Sequence, residues 1–436
     1  MRWSSRVERG VVDVVVASFS DSADCAWDRL SVISHREWVR SYHWLDASGL
    51  ALYFLDRLKT LGVEGALPDS VLARLNQNHA DNKVRSASLF AEFTEINRSF
   101  QQAGIVFANL KGFTLSPESC PDPTLRCQLD LDFLVDGGQL NLCKSILAQS
   151  GYRLAAATAT VWEFKAGSSE LVRIEDHYKA RPQRSVELHF ASTSHRASAP
   201  IRDERLDRLA ERTWNGVSFP ALSDGDLFVG QALHVFGHVR SACTRPAWLL
   251  EYRHHVSSRR NDEHFWDEVV ERSARHAEAP VGIGLVTLLT SQLFGIESPG
   301  RLDSWTLDNL PASVRRWAEQ YGRRALLAGF PGTKLYMILE DELAKGGGWR
   351  GWKRKSLLPL HRAPRIVLAS KNDTLWKWFQ REFYQARFVL FRIRFHAVEG
   401  VRYLRESRRW KKQLNKTQDP IAVRVSKESI LTKSLR

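Results

Sequence analysis

Two aspartates two residues apart, Asp130 and Asp132, sit in the alternating run LDLDFLV (129–135). On a strand, side chains at i and i+2 project to one face. Two carboxylates held side by side repel each other, and taking them out of water is costly. A divalent cation relieves both penalties, so the pair is a candidate Mg²⁺ or Mn²⁺ site. Leu129, Leu131, Phe133 and Val135 alternate with the acids, as on a strand whose other face is buried. The competing reading is an edge strand with two solvated aspartates.

The flanking residues add to the first reading. Leu110-Lys111-Gly112 ends the short apolar run IVFANL (105–110), and backbone N–H groups at such a turn can meet a phosphate. Arg126, four residues before Asp130, is a candidate bidentate phosphate donor. Lys111, Gly112 and Arg126 are therefore the candidate nucleotide contacts. Downstream, Val186-Glu187-Leu188-His189-Phe190 alternates again and puts Glu187 and His189 on one polar face. A third carboxylate on a neighbouring strand is what a two-metal transfer site needs, as a ligand or as a general base on an acceptor hydroxyl. Asp130, Asp132 and Glu187 are thus the catalytic and metal candidates, with His189 beside them. His234 and His238 lie four apart on one face of an expected helix. They are either ligands, a helix-packing surface or part of the substrate cleft, and without an HExxH pattern zinc is not implied.

Several elements must hold these residues in place. Residues from about 24 to 103 read as helices, with Trp38, Tyr42 and Leu45, then Leu50, Phe54 and Leu58, at helical spacing around Gly49. A second helix is expected from near Ser70 and a third from Asp81 to Gln102, closed by Gly104. IVFANL, LDLDFLV, VWEFKA, LVRIED and SVELHF read as strands, with a helix at LNLCKSILAQSG. That order predicts a small mixed sheet of α+β type. From about Arg202 the helix period returns, in a helix from Asp224 through HVFGHV, another at Trp248-Leu249-Leu250, and a buried one at VGIGLVTLLTSQLFG (281–295). Gly346-Gly347-Gly348 reads as a linker. The expected domains are an N-terminal helical region (1–103), the core sheet (104–200), a helical domain (201–345) and a basic helical tail (346–436).

Charge separates the tail from the body. The 436 residues carry a net +14, yet from Gly346 onward there are 23 Lys and Arg against 6 Asp and Glu, and before it 40 against 43. Within the tail, Trp376, Phe379, Phe383, Ala386, Leu390, Ile393, Ala397, Val401 and Leu404 form a stripe at threes and fours. Phe388, Phe391 and Phe395 widen it, arginines are interleaved, and Asp373 is a suitable N-cap. Three readings stand: a helix packed on the chain's own body, an interfacial helix on anionic lipid, or a nucleic-acid contact, the last two through residues 373–412. A frayed end is expected after Gln418. Five cysteines without a CxxC read as reduced thiols of a cytosolic protein. The N-terminal apolar stretch is interrupted by Asp13 and is too short for a good secretory signal. No run reaches the roughly 18 apolar residues of a membrane span. The expected place is the cytoplasm, with the tail leaving open a peripheral position at the inner membrane face.

The block LKGFTLSPESCPDPTLRCQLDLDFLVDGGQLNLCKSILAQSGY resembles the core of the uncharacterised bacterial nucleotidyltransferase-like family of the DNA polymerase beta superfamily. The matching features are Leu110-Lys111-Gly112, Arg126, Asp130 and Asp132, Gly151-Tyr152 after a helix, and Glu187-Leu188-His189 ending a strand. The resemblance extends over roughly residues 36–297, through HVFGHV and RPAWLLEYRHHV. It implies a nucleotidyltransferase core flanked by N-terminal helices and a C-terminal helical domain. The implied activity is transfer of a nucleotidyl group from an NTP, with Mg²⁺ or Mn²⁺, to an acceptor hydroxyl it does not name. Two features depart from the superfamily: Lys111-Gly112 replaces Gly-Ser at the turn, and Glu187 stands where Asp is more usual. Two other functional classes remain, a silent nucleotide-binding or scaffold protein of the same fold, and an adaptor acting through the tail.

Overall fold

Helical spacing of apolar residues shapes most of the chain. The computed structural model describes residues 9–167, 176–180, 183–191, 202–345, 357 and 374–418. The strand expected at LVRIED, the glycine linker, the Asp373 cap and the end after Gln418 fall largely or wholly outside them. The described residues up to Phe330, apart from Arg240–Ala242, form one unit, and Arg240–Ala242 with those from Pro331 on form a second.

The first unit opens with α1 (Arg9–Ser18), α2 (Ala23–Ser31), α3 (His35–Ala47) and α4 (Ala51–Leu61). The N-terminal apolar stretch is α1 itself. Val11, Val12, Val15 and Val16 are buried, so packing overrides the weak helix preference of β-branched residues. Gly49 breaks α3 from α4 at φ +76°, where a Cβ would also stand 2.9 Å from that of Ala247. One helix, α5 (Asp69–Gln102), replaces the two expected over this stretch. Its buried face starts with Val71 and Leu75 but passes through Asn78, Asn82 and Arg85 before Phe93, so the apolar period is interrupted in between.

Among the described residues the sheet has seven strands: β1 (Phe107–Asn109), β2 (Leu131–Val135), β3 (Arg153–Ala157), β4 (Val161–Ala166), β5 (Arg184–His189), β6 (Leu209–Trp214) and β7 (Val217–Leu222). Their order is β3-β4-β5-β2-β1-β7-β6, which puts β2 in the centre. β2 runs parallel to β5 and antiparallel to β1, and β1 runs parallel to β7, so the sheet is mixed. It continues past the boundary expected near residue 200. The β6–β7 hairpin turns on Asn215 and Gly216, both at positive φ, the Asn-Gly loop that suits the twist of paired strands.

Against one face of the sheet lie α5 and α6 (Leu140–Gln149). Phe93, Ile96 and Phe100 of α5, and Cys143 and Leu147 of α6, pack on Phe133, Val135, Val186, Leu188 and Phe219. Phe93 meets Phe219 edge-on at 4.9 Å, and Phe100 meets Phe133 at 5.5 Å. Burying each such ring contributes about 1.5–3 kcal/mol. Within this apolar layer, Asn109 of β1 donates to Asn97 of α5 at 2.7 Å and to the Pro220 carbonyl of β7 at 2.8 Å, fixing the helix to two strands.

Helices α7 (Asp224–Val239), α8 (Pro246–Ser258), α9 (Glu263–Ser273) and α10 (Ala279–Phe294) follow, then the short α11 (Gly300–Trp305), α12 (Ala312–Trp317) and α13 (Arg323–Leu326). The second unit holds α14 (Tyr336–Lys345) and the 44-residue α15 (Leu375–Gln418).

His255 of α8 gives this helical region an acid sensitivity. Its ring lies 5.1 Å from that of Phe228 and 5.7 Å from that of Phe265, and burial pushes its pKa down to about 4. The unfolded value is about 6.5. A folded-state value below the unfolded one contributes stability that is complete above pH 6.5 and is lost as pH falls towards 4. Between pH 7 and pH 5, wild type should lose roughly 2 kcal/mol more unfolding free energy in urea than His255→Gln. Parallel losses in the two proteins would remove His255 as the cause.

Candidate active site

The site grows from one buried strand. β2 is buried along its whole length, and Leu131, Phe133 and Val135 belong to the apolar core. Alternation turns Asp132 to the opposite face, where it is only 6% exposed. Its register partner on β5 is Glu187, and paired residues on parallel strands share a face. His189, two residues on, joins them: its Nε2 lies 3.0 Å from Asp132 Oδ1 and 3.3 Å from Glu187 Oε2. Lys111 Nζ donates to the same Asp132 oxygen at 3.0 Å.

This arrangement decides the charges. Burial alone would raise the Asp132 pKa, but His189 and Lys111 outweigh it and hold the carboxyl well below the usual range. Burial works against a charged His189 ring, yet its hydrogen bonds to Asp132 and Glu187 raise its pKa. Asp130 has the opposite fate. Burial, then the charge of Asp132, lifts it to about 6, against Lys111.

Asp130 and Asp132 do not share the strand as the sequence suggests. β2 begins at Leu131, and Gln128 Nε2 donates to the Asp130 carbonyl at 2.8 Å, closing a local turn before the strand starts. Among the described residues, the acids and imidazole whose ligand atoms lie within 4.8 Å of one another are Asp132, Glu187 and His189. Asp130 stands outside this group and acts on it through charge.

The turn after β1 depends on Gly112. It sits at φ +68°, and an added Cβ would run into the Gln128 side chain. The Leu110 N–H donates to the Asp132 carbonyl at 3.1 Å, which keeps Lys111 beside the acid. The approach to β2 is held from α5. Asn82 donates to the carbonyls of Thr124 at 2.6 Å and Arg126 at 3.1 Å, while Arg85 reaches those of Gln128 and His177.

Arg126 is engaged by an acid that sequence reasoning missed. Its Nε donates to Glu251 of α8 at 3.0 Å, and Tyr53 OH donates to the same oxygen at 3.0 Å. The signal was a carboxylate inside the apolar run Trp248-Leu249-Leu250-Glu251-Tyr252, where an acid must find a buried partner. Lys111, Arg126, Glu251, His234 and Trp248 line one small cavity. The His234 and His238 rings meet edge to face at 4.6 Å, and they lie 5.1 and 4.2 Å from that of Trp248. Burial, helped by the Lys111 charge, pushes their pKa values down to about 3 and about 4, so both are neutral at pH 7. Neither belongs to the acid–imidazole group.

The electrostatics predict opposite effects for two like substitutions. In EDTA at pH 7.5, Asp130→Asn should raise the melting temperature, since removing a disfavoured charge contributes about 1–3 kcal/mol. Asp132→Asn should lower it, because Lys111 and His189 lose the anion that holds them, at a cost of about 2 kcal/mol or more. Shifts of the same sign in both variants would contradict this assignment.

Comparison with known proteins bears on what such a site does. No curated protein matches the chain. The model of a family described as uncharacterised nucleotidyltransferases matches residues 34–295, which include every strand of the sheet, the Lys111 turn, both aspartates, Glu187, His189 and Glu251. A match over more than half of its length means that the chain belongs to this uncharacterised nucleotidyltransferase family.

Proposed function

We propose that the site transfers a nucleotidyl group from a nucleoside triphosphate to an acceptor hydroxyl, with a divalent cation. The observation that carries this reading is the in-register pairing of Asp132 with Glu187 beside the Lys111-Gly112 turn. The donor set fits a cation. Two carboxylates and an imidazole converge, and burial, then the charges of Asp132 and Glu187, raise the pKa of the nearby Asp130 against Lys111. Asp132 and Glu187 would hold the ion, with Asp130 adding oxygen for Mg²⁺ or His189 adding nitrogen for Mn²⁺. A bound ion would supply Lewis-acid polarisation of the α-phosphoryl group and of the acceptor oxygen.

The chain's own residues would do the rest. Lys111 would offset charge on the triphosphate, and Arg126, oriented by Glu251, would contact it from the shared cavity. The acceptor oxygen would bond to the α-phosphorus as the bond to the bridging oxygen breaks, and pyrophosphate would leave. Glu187, partly open to solvent, would take the acceptor proton. The helix α15 lies outside the family match.

One observation favours a second reading, a silent nucleotide-binding protein. Lys111 and His189 both hydrogen-bond to Asp132 Oδ1, so the chain's own residues already partner that oxygen. A titration separates the two. An NTP at about a hundred times its Kd should stabilise the wild type by about 2.7 kcal/mol, and only with Mg²⁺ or Mn²⁺ present. Glu187→Gln and Asp132→Asn should each abolish that gain. An equal gain without metal, in wild type and variants alike, defeats the metal-dependent reading. Metal-dependent binding without pyrophosphate release across hydroxyl acceptors supports the silent one.

A further inference from the structure

The apolar stripe of α15 faces outward. Trp376, Phe383, Leu390, Ile393, Val401 and Leu404 are each between 47% and 69% exposed. The helix is held by its opposite face. Tyr403 OH donates to Asp341 at 3.0 Å, Trp410 Nε1 to Glu342 at 2.7 Å, and Thr333 Oγ1 to Glu399 at 2.8 Å. Glu399, Tyr403, Glu406 and Trp410, spaced at threes and fours, are buried. The second unit therefore fixes one side of the helix and leaves the apolar side bare over eight turns, about 42 Å at 1.5 Å per residue.

We propose that this stripe docks on the surface of an anionic lipid bilayer, with α15 lying in the plane of the interface. Three observations choose this occupant. The helix carries 12 Lys and Arg against 3 Asp and Glu, and Arg394 and Arg405 are exposed directly beside the stripe. Anionic headgroups complement that charge at about 1 kcal/mol per basic residue near the surface. Among the described residues no helix is long and apolar enough to cross a membrane, whereas an aromatic and aliphatic stripe between arginines suits the headgroup–acyl boundary. The other occupants fit less well. Two copies paired along this stripe would bring two strongly basic helices together, with Arg394 repelling its mate. A nucleic acid would use the arginines but leave Leu390, Ile393, Val401 and Leu404, which have no ring for a base to stack on, in water.

Flotation of the full-length protein with vesicles tests the proposal. It should float with vesicles of phosphatidylcholine plus phosphatidylserine, and at least about tenfold less with phosphatidylcholine alone. Leu390→Glu with Ile393→Glu should reduce flotation by about tenfold or more, since two buried side chains are lost and two acids introduced. Arg394→Gln with Arg405→Gln should weaken it and flatten its salt dependence. Both pairs replace exposed residues, so circular dichroism and the nucleotide-dependent thermal gain should match wild type. Failure to float with either vesicle overturns the proposal, as does unchanged flotation of the glutamate pair. A dimer that the glutamate pair dissociates, without vesicle binding, assigns the stripe to a second copy. RNA binding without vesicle binding assigns it to nucleic acid.

Discussion

A carboxylate in the interior of a central strand costs several kcal/mol unless a partner meets it there. Asp132 is that group, and much of the first unit serves to supply its partners. Lys111 arrives from the turn after β1, and His189 from two residues beyond the paired position on β5. Each contact ties a separate stretch of chain to the centre of the sheet. The strand order follows the same logic, since β2 is flanked by β1 and β5, the two strands that deliver these groups. The apolar side of the sheet makes the arrangement affordable. Phe93, Phe100, Phe107, Phe133 and Phe219 pack as one layer and hold the backbone that carries the charges.

The long helix α5 joins the two halves of this scheme. Its second half is apolar and covers the sheet through Phe93, Ile96 and Phe100. Its first half buries Asn82 and Arg85, which bind the carbonyls of the loop from Thr124 to Gln128. That loop leads into β2 and carries Arg126 to Glu251. A shift of α5 along its axis would disturb the core and the charged loop together. Asn97 and Asn109 guard against such a shift, since a slipped register would break the hydrogen bonds between these two buried amides.

What the sequence made legible divides along physical lines. Apolar content made β4, β5, α7, α8 and α10 legible: β5 alternates because one face is buried, whereas α10 reads as a continuous apolar run because it is buried nearly all round. Glu187 and His189 were legible as a shared polar face on an alternating strand. The misses have other origins. β3 reads Arg-Leu-Ala-Ala-Ala and is fully exposed, so it carries no burial pattern. β6 is also open to water, but its Asn-Gly turn was a usable signal that the returning helix period masked. The unity of α5 was hidden because its first half buries polar side chains. Glu251 was missed because ion pairs between distant elements leave no spacing to read, only a charge where an apolar residue is expected.

Asp130 and Asp132 show how little the spacing of two acids settles by itself. They are the same residue type, two positions apart, next to the same lysine. Asp132 receives Lys111 and His189 directly and stays ionised despite burial. Asp130 feels the same lysine only through space and lies near Asp132 and Glu187, so burial and like charge push its pKa upward. The difference comes from partner supply, which is a property of the fold. Direct donors stabilise one carboxylate, and that stabilised charge then destabilises the next. The cost left at Asp130 comes first from burial and then from the neighbouring acids, so it is set by where the fold places the donors rather than by the spacing of the two aspartates.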